Sequence, residues 1–137
     1  MNVAQVKNLE GKRIFLVEDD VLNLAIVQHV LAGTKASLFQ NYNSIGIIAH
    51  IKQSLPIDLI LVDIKLRGGI SGINVGKRLR EDPETVAIPI VAISSLDPET
   101  VIPQAQGAGF DGFISKPINA ATFARDLASI IQGEKLW

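Results

Sequence analysis

The stretch that most restricts this chain is Leu59-Ile60-Leu61-Val62, four consecutive aliphatic residues closed by Asp63. An apolar run this short, with Pro56 before it and Gly68-Gly69 after it, fits a strand buried on both faces of a parallel sheet; a half-exposed strand would alternate. Similar runs occur at Arg13–Val17, Ile88–Ile93 and Asp111–Ser115, and a weaker one at Ala36–Gln40 suits an edge. The stretches between them carry apolar residues at helical spacing. Val21–Leu31 presents Leu24, Val27 and Leu31, with Asp20 as N-cap and Gly33 as stop. Ile45, Ile48, Ile51 and Leu55 predict a helix capped by Asn43 or Ser44 and ended by Pro56. Another is predicted over Ile73–Glu81. Asp97-Pro98 opens a fourth helix that Pro103 breaks or shortens, and Asn119 caps a last one carrying Phe123, Leu127, Ile130 and Ile131. Five strands alternating with five helices predict an α/β fold whose parallel sheet is covered on both faces.

The 137 residues suit one domain, with its core at about 12–132 between a polar lead-in (Asn2–Gly11) and a short tail (Gly133–Trp137). Absence of cysteine excludes disulfides, zinc–thiolate sites and thiol catalysis. A net charge of -1 and no Lys/Arg run beyond two residues offer no nucleic-acid surface. There is no signal-peptide pattern and no apolar run of membrane-spanning length, so a soluble cytoplasmic protein is expected.

What stands at the strand ends carries the chemistry. The first strand runs into Glu18-Asp19-Asp20, the third into Asp63, the fourth into Ser94-Ser95 and the fifth into Lys116-Pro117. In a parallel sheet these ends share one edge, where open α/β folds bind ligands. Singly, each has an ordinary explanation: a solvated helix start, a turn cap, turn-forming serines, a surface lysine. Together they bring carboxylates, a hydroxyl and an ammonium into one cleft. Carboxylates crowded there raise one another's pKa unless a cation is present, and an all-oxygen set suits a hard divalent ion such as Mg²⁺.

In their order and spacing, Leu16-Val17-Glu18-Asp19-Asp20, Asp58 to Leu66, Ile88 to Ser94, and Gly112-Phe113-Ile114-Ser115-Lys116-Pro117 resemble the receiver domain of two-component response regulators, over roughly Lys12 to Gln132. The resemblance implies a flavodoxin-like (βα)5 three-layer sandwich with a five-stranded parallel sheet of order 2-1-3-4-5. It implies that Asp63 accepts a phosphoryl group from a histidine kinase or histidine phosphotransferase. Asp19, Asp63 and the backbone carbonyl of Lys65 would ligate Mg²⁺, and Glu18 would act through a water. Lys116 would neutralise phosphoryl charge, Ser94 would be the switch hydroxyl, Phe113 the switch aromatic, and the Lys116–Pro117 peptide cis. The Lys65 side chain is expected to point away from the cleft. Such a protein is a switch rather than an enzyme in the ordinary sense.

Three departures stand out. The loop Leu66–Gly72 lacks the usual proline and is one residue longer, which predicts a more mobile loop; Ser95 replaces a small apolar residue; and Pro103 disturbs the fourth helix. Only about five residues follow the last helix, so a stand-alone receiver is expected, a monomer or weak dimer whose output passes to a protein partner or onward in a phosphorelay. Two alternatives remain: a receiver-like binding module that is never phosphorylated, and a Mg²⁺-dependent aspartyl phosphatase. The second expects an acid two residues after the nucleophile, where this chain has Lys65. Neither glycine-rich nucleotide fingerprint follows the first strand. His29 and His50 fall at non-motif helical positions and receive no catalytic role.

Overall fold

The computed structural model describes residues 9–137. Its strands are β1 (Arg13–Val17), β2 (Ser37–Asn41), β3 (Leu59–Asp63), β4 (Ile90–Ser94) and β5 (Gly112–Ser115). All pairs are parallel, in the order β2-β1-β3-β4-β5. The central strand β3 is buried along its whole length, as its unbroken aliphatic run requires. Its side chains divide with period two. Ile60 and Val62 join one core, Leu59 and Leu61 the other.

Helices cover both faces. α1 (Val21–Leu31) and α5 (Phe123–Ile131) pack Leu24, Val27, Leu31, Phe123, Leu127 and Ile130 on one. α2 (Ile47–Gln53), α3 (Gly72–Glu81) and α4 (Pro98–Gly107) pack Ile47, Ile51, Leu79, Val101 and Ala105 on the other. This is the three-layer flavodoxin-like sandwich. Asp58, at the entry to β3, is not part of the cleft. Its carboxylate accepts the Arg13 N–H at 2.8 Å and aligns the starts of β1 and β3. No helix among the described residues is long and apolar enough to cross a membrane.

Several boundaries differ from the sequence expectation. The stop after α1 is Lys35 rather than Gly33: a 3₁₀ turn, Ala32–Thr34, intervenes, and Lys35 takes the left-handed conformation (φ 61°). Neither Asn43 nor Ser44 caps α2. The helix starts later, behind Gly46 (φ 57°), and Ile45 is exposed rather than inward, because residues 41–46 form a loop with its own hydrogen bonds. Pro103 does not break α4. It lies on the exposed face, and the carbonyl it leaves without a helical donor belongs to Glu99, itself exposed in the first turn. Thr122 rather than Asn119 is the N-cap residue of α5; the Asn119 carboxamide instead accepts the Ala121 N–H in the preceding turn. Within the lead-in, residues 1–8 lie outside the described residues, but Leu9 is fully buried in the core beneath α1 and α5.

The C-terminal tail is ordered along the β5 edge. Leu136 forms a parallel bridge with Gly112, donating to the Asp111 carbonyl at 3.0 Å and accepting the Phe113 N–H at 2.8 Å. Trp137 walls a cavity of about 300 Å³ with Phe113, Pro117 and Phe123.

Gly76, in the middle of α3, is a packing requirement, since a Cβ there would lie 2.0 Å from the ring of Phe110, itself buried. Helix propensity alone favours Ala by about 1 kcal/mol. We expect Gly76→Ala nevertheless to lose about 1–3 kcal/mol through overpacking, measured by urea denaturation; a more stable variant would show that Phe110 yields freely.

Candidate functional site

Because the strands are parallel, their C-terminal ends share one edge of the sheet. β1 leads into Glu18 and Asp19, β3 ends in Asp63 and β4 in Ser94, and Lys116 follows β5. Glu18, Asp19, Asp63 and Ser94 are all buried. Glu18, Asp19 and Asp63 each present a carboxylate oxygen within 4.8 Å of the others. Lys116 reaches across from β5, with Nζ 2.8 Å from Glu18 Oε2 and 3.3 Å from Asp63 Oδ2. The Lys116–Pro117 peptide is cis. Asp20 points elsewhere: it is the N-cap of α1, accepting the N–H groups of Leu22 and Asn23 at 2.9 and 3.3 Å.

The remaining residues singled out from the sequence fall around this cluster. The Ser94 oxygen accepts the Leu96 N–H at 2.9 Å. Ser95 is exposed. Phe113 is buried in the core under α3 and α4. The Lys65 side chain is exposed, while its N–H donates to Asp63 Oδ1 at 3.3 Å. His29 is exposed on α1, and His50 packs edge-on against Phe15 at 5.0 Å.

The loop after Asp63 is held at several points despite its missing proline. Lys65 and Ser71 form an antiparallel bridge, Leu66 is buried, and the Leu66 N–H donates to the Ile70 carbonyl at 3.2 Å. Gly68 and Gly69 both take left-handed conformations (φ 71° and 73°) that turn the chain back. Gly72 then passes so close to β3 that a Cβ there would lie 2.1 Å from the Asp63 carbonyl oxygen. Only glycine permits that approach.

Sequence reasoning misses the second layer of contacts. The Ser44 hydroxyl and the Arg67 N–H both donate to Asp19 Oδ2. Asn41, buried at the end of β2, accepts the Ser44 N–H at 2.9 Å and donates to the Ile45 carbonyl at 3.0 Å. No motif marks these residues; the one available signal is that Asn41 ends a strand on the same sheet edge.

Among the described residues, one ammonium, that of Lys116, reaches this group of three buried carboxylates, at Glu18 and Asp63. Burial pushes the Asp63 carboxyl up from an ordinary 3.8 to about 6, and the Glu18 charge adds to this. The Lys116 charge and hydrogen bond, and the Lys65 N–H, only partly offset it. For Lys116, burial acts downward, but the hydrogen bond to Glu18 and the charges of Asp63 and Glu18 outweigh it and hold the ammonium above its ordinary 10.5. An all-oxygen donor set with surplus negative charge fits a hard divalent cation and offers nothing to a soft one.

A family model for the response regulator receiver domain matches residues 14–128. Among curated proteins, the polar-differentiation response regulator DivK of Brucella anthropi is 28% identical over 120 residues, covering 88% of this chain and 96% of that protein. Stress response regulator protein 1 of Meyerozyma guilliermondii is 26% identical over 116 residues, and there the match spans about half (53%) of the relative's length. Among solved structures, a putative response regulator from Chloroflexus aurantiacus superposes with TM-score 0.82 at 22% identity, over 90% of this chain and 99% of that one. A two-component response regulator from Clostridium difficile gives 0.78 at 25% identity, over 89% and 97%.

The raised Asp63 pKa carries a stability prediction. The folded state binds this proton more tightly than the unfolded chain, so ionised Asp63 weakens the fold above about pH 6, and the penalty fades as pH falls from about 6 towards 4. In metal-free buffer, Asp63→Asn is expected to be more stable than wild type by about 1–3 kcal/mol near pH 7.5, a gain that shrinks towards pH 4 in denaturant titrations. A gain that is independent of pH would show that Asp63 ionisation is not its cause.

Proposed function

The chain belongs to the response regulator receiver family, and on that footing we propose that Asp63 accepts a phosphoryl group from a phosphohistidine on a histidine kinase or histidine phosphotransferase. The observation that carries this reading is the placement of Lys116 Nζ, 2.8 Å from Glu18 and 3.3 Å from Asp63, among three buried carboxylates. An Asp63 oxygen attacks phosphorus; the new P–O bond makes an aspartyl phosphate as the P–N bond breaks, and the donor imidazole leaves with the electron pair. With its pKa near 6, Asp63 is mostly ionised at neutral pH and available as the nucleophile. Such transfers ask the protein chiefly for alignment and for charge against the equatorial oxygens. Lys116 supplies a fixed cation at that place. The Ser94 oxygen already accepts the Leu96 N–H, so its own proton is free to donate to a phosphoryl oxygen.

Asp19, Asp63 and the Lys65 carbonyl are the residues that would hold Mg²⁺, with Glu18 through a water, and the ion would supply positive charge against the phosphoryl oxygens. The donor set supports this. So does the receiver domain of a Pseudomonas aeruginosa sensor histidine kinase, a structural neighbour (TM-score 0.79, 22% identity) described with a magnesium ion coordinated in its active-site cleft.

The phosphoryl group adds charge next to Ser94 and so biases the loop after β4. Phe113 lies on the neighbouring strand, opposite Ala92, and is already inside the core. The switch therefore works by stabilising a buried ring and a closed Ser94 loop against an open alternative. Around the cleft, Val21, Leu22, Tyr42 and Ile45 expose 60–73% of their surfaces, an apolar rim suited to the protein that delivers the histidine. Exposed Lys65, standing where an aspartyl phosphatase needs its second acid, argues against that enzyme.

Incubation with Mg²⁺ and acetyl phosphate, read by intact mass, is expected to add one phosphoryl group to wild type and none to Asp63→Asn. Lys116→Gln should slow the reaction by about 10²–10³-fold, as for loss of one preorganised charge. An adduct that persists in Asp63→Asn would overturn the assignment.

A further inference from the structure

Ser44 belongs to none of the motifs at the strand ends, yet its hydroxyl donates to Asp19 Oδ2 at 3.1 Å. We propose that Ser44 is a positioning residue for cation binding, fixing the Asp19 carboxylate as a ligand; this rests on the reading of the acidic cleft as a Mg²⁺ site. Three features of the structure support it. First, Ser44 takes the left-handed conformation (φ 59°), which is costly for a residue with a Cβ and is kept where the surroundings impose it. Second, the surroundings do impose it. Asn41, only 3% exposed, accepts the Ser44 N–H at 2.9 Å, while its Nδ2 donates to the Ile45 carbonyl at 3.0 Å and lies 3.2 Å from His50 Nδ1. Third, the Arg67 N–H, from the loop after β3, converges on the same Asp19 oxygen from another part of the chain.

Two donors from two loops thus occupy Oδ2, while Oδ1 accepts no hydrogen bond among the described residues and is left for the cation. Outer partners of this kind fix a ligand's orientation before the ion arrives. The alternative is that the bond merely tethers the β2–α2 loop, with no consequence for the cleft. The two differ in what happens when the hydroxyl and the backbone strain are removed separately.

Mg²⁺ affinity of the full chain, measured by competition with Mn²⁺ followed by electron paramagnetic resonance, makes the distinction. Ser44→Ala removes the donor and keeps the strain; Ser44→Gly removes both. Both are expected to weaken Mg²⁺ binding by about 10-fold or more, the usual effect of losing an outer partner. Ser44→Gly should do so without any loss of metal-free thermal stability. Ser44→Asn keeps a donor and suits left-handed backbone, and is expected to bind Mg²⁺ more tightly than Ser44→Ala. Affinities of the alanine and glycine variants within about twofold of wild type, or an asparagine variant no better than alanine, would overturn the role of Ser44. If wild type itself binds no Mg²⁺, it is the cation reading of the cleft that fails.

Discussion

The structure turns on a local excess of negative charge held at one edge of a parallel sheet. Glu18, Asp19 and Asp63 cluster within 4.8 Å, and among the described residues the one ammonium that reaches Glu18 and Asp63 comes from the far end of the sheet, on Lys116. Removing carboxylates from water costs several kcal/mol each unless they are paired, and the lifted Asp63 pKa is the trace of that incomplete compensation. Two cores, one on each face of β3, carry the cost. The cleft is stable because the sheet beneath it is overdetermined, while its own charges stay incompletely satisfied.

Around the cleft, backbone conformation does what side chains alone cannot. The chain leaves Asp63, turns through two left-handed glycines and returns against the Asp63 carbonyl at Gly72. On the other side, the loop after β2 is shaped by buried Asn41 into delivering a hydroxyl to Asp19. Both loops end on a single carboxylate. The β5 edge ties the cleft to the rest of the molecule: Lys116 enters the site, while Pro117 and Phe113 line a cavity together with Trp137, with the Phe113 N–H bound to Leu136. Site and tail therefore share one strand.

Much of this is legible in the residues. The apolar runs place every strand to within about two residues, most plainly for β1, β3 and β4, whose burial on both faces leaves no freedom for polar residues. Asp20 caps α1 as its position indicates, and the strand-end residues Glu18, Asp19, Asp63, Ser94 and Lys116 can be picked out before any coordinates. The misreadings share a cause. Lys35 rather than Gly33 turns left-handed, Gly46 rather than Asn43 or Ser44 precedes α2, and Pro103 sits within a continuous α4. In each, local propensity names a good candidate, and the conformation of the surrounding chain decides otherwise. The proline-less loop after Asp63 reads as more mobile, and its Arg67 N–H bonds Asp19, 48 residues earlier. Leu9 and Leu136 read as lead-in and tail, yet both pack against the domain.

By itself the sequence determined the alternation of strands and helices, the burial of β3 on both faces and the set of groups available for chemistry. These follow from short-range periodicity and from the single direction of parallel strands. Only the tertiary structure decided how those groups are held: which carboxylates Lys116 touches, that Gly72 must lack a side chain, that the Ser44 hydroxyl and the Arg67 N–H, neither of them a recognisable motif group, bond Asp19, and that the tail closes the β5 edge. Those facts depend on atoms from remote segments meeting within about 3 Å, the range in which hydrogen bonds and ion pairs form, and no spacing along the chain encodes such a meeting.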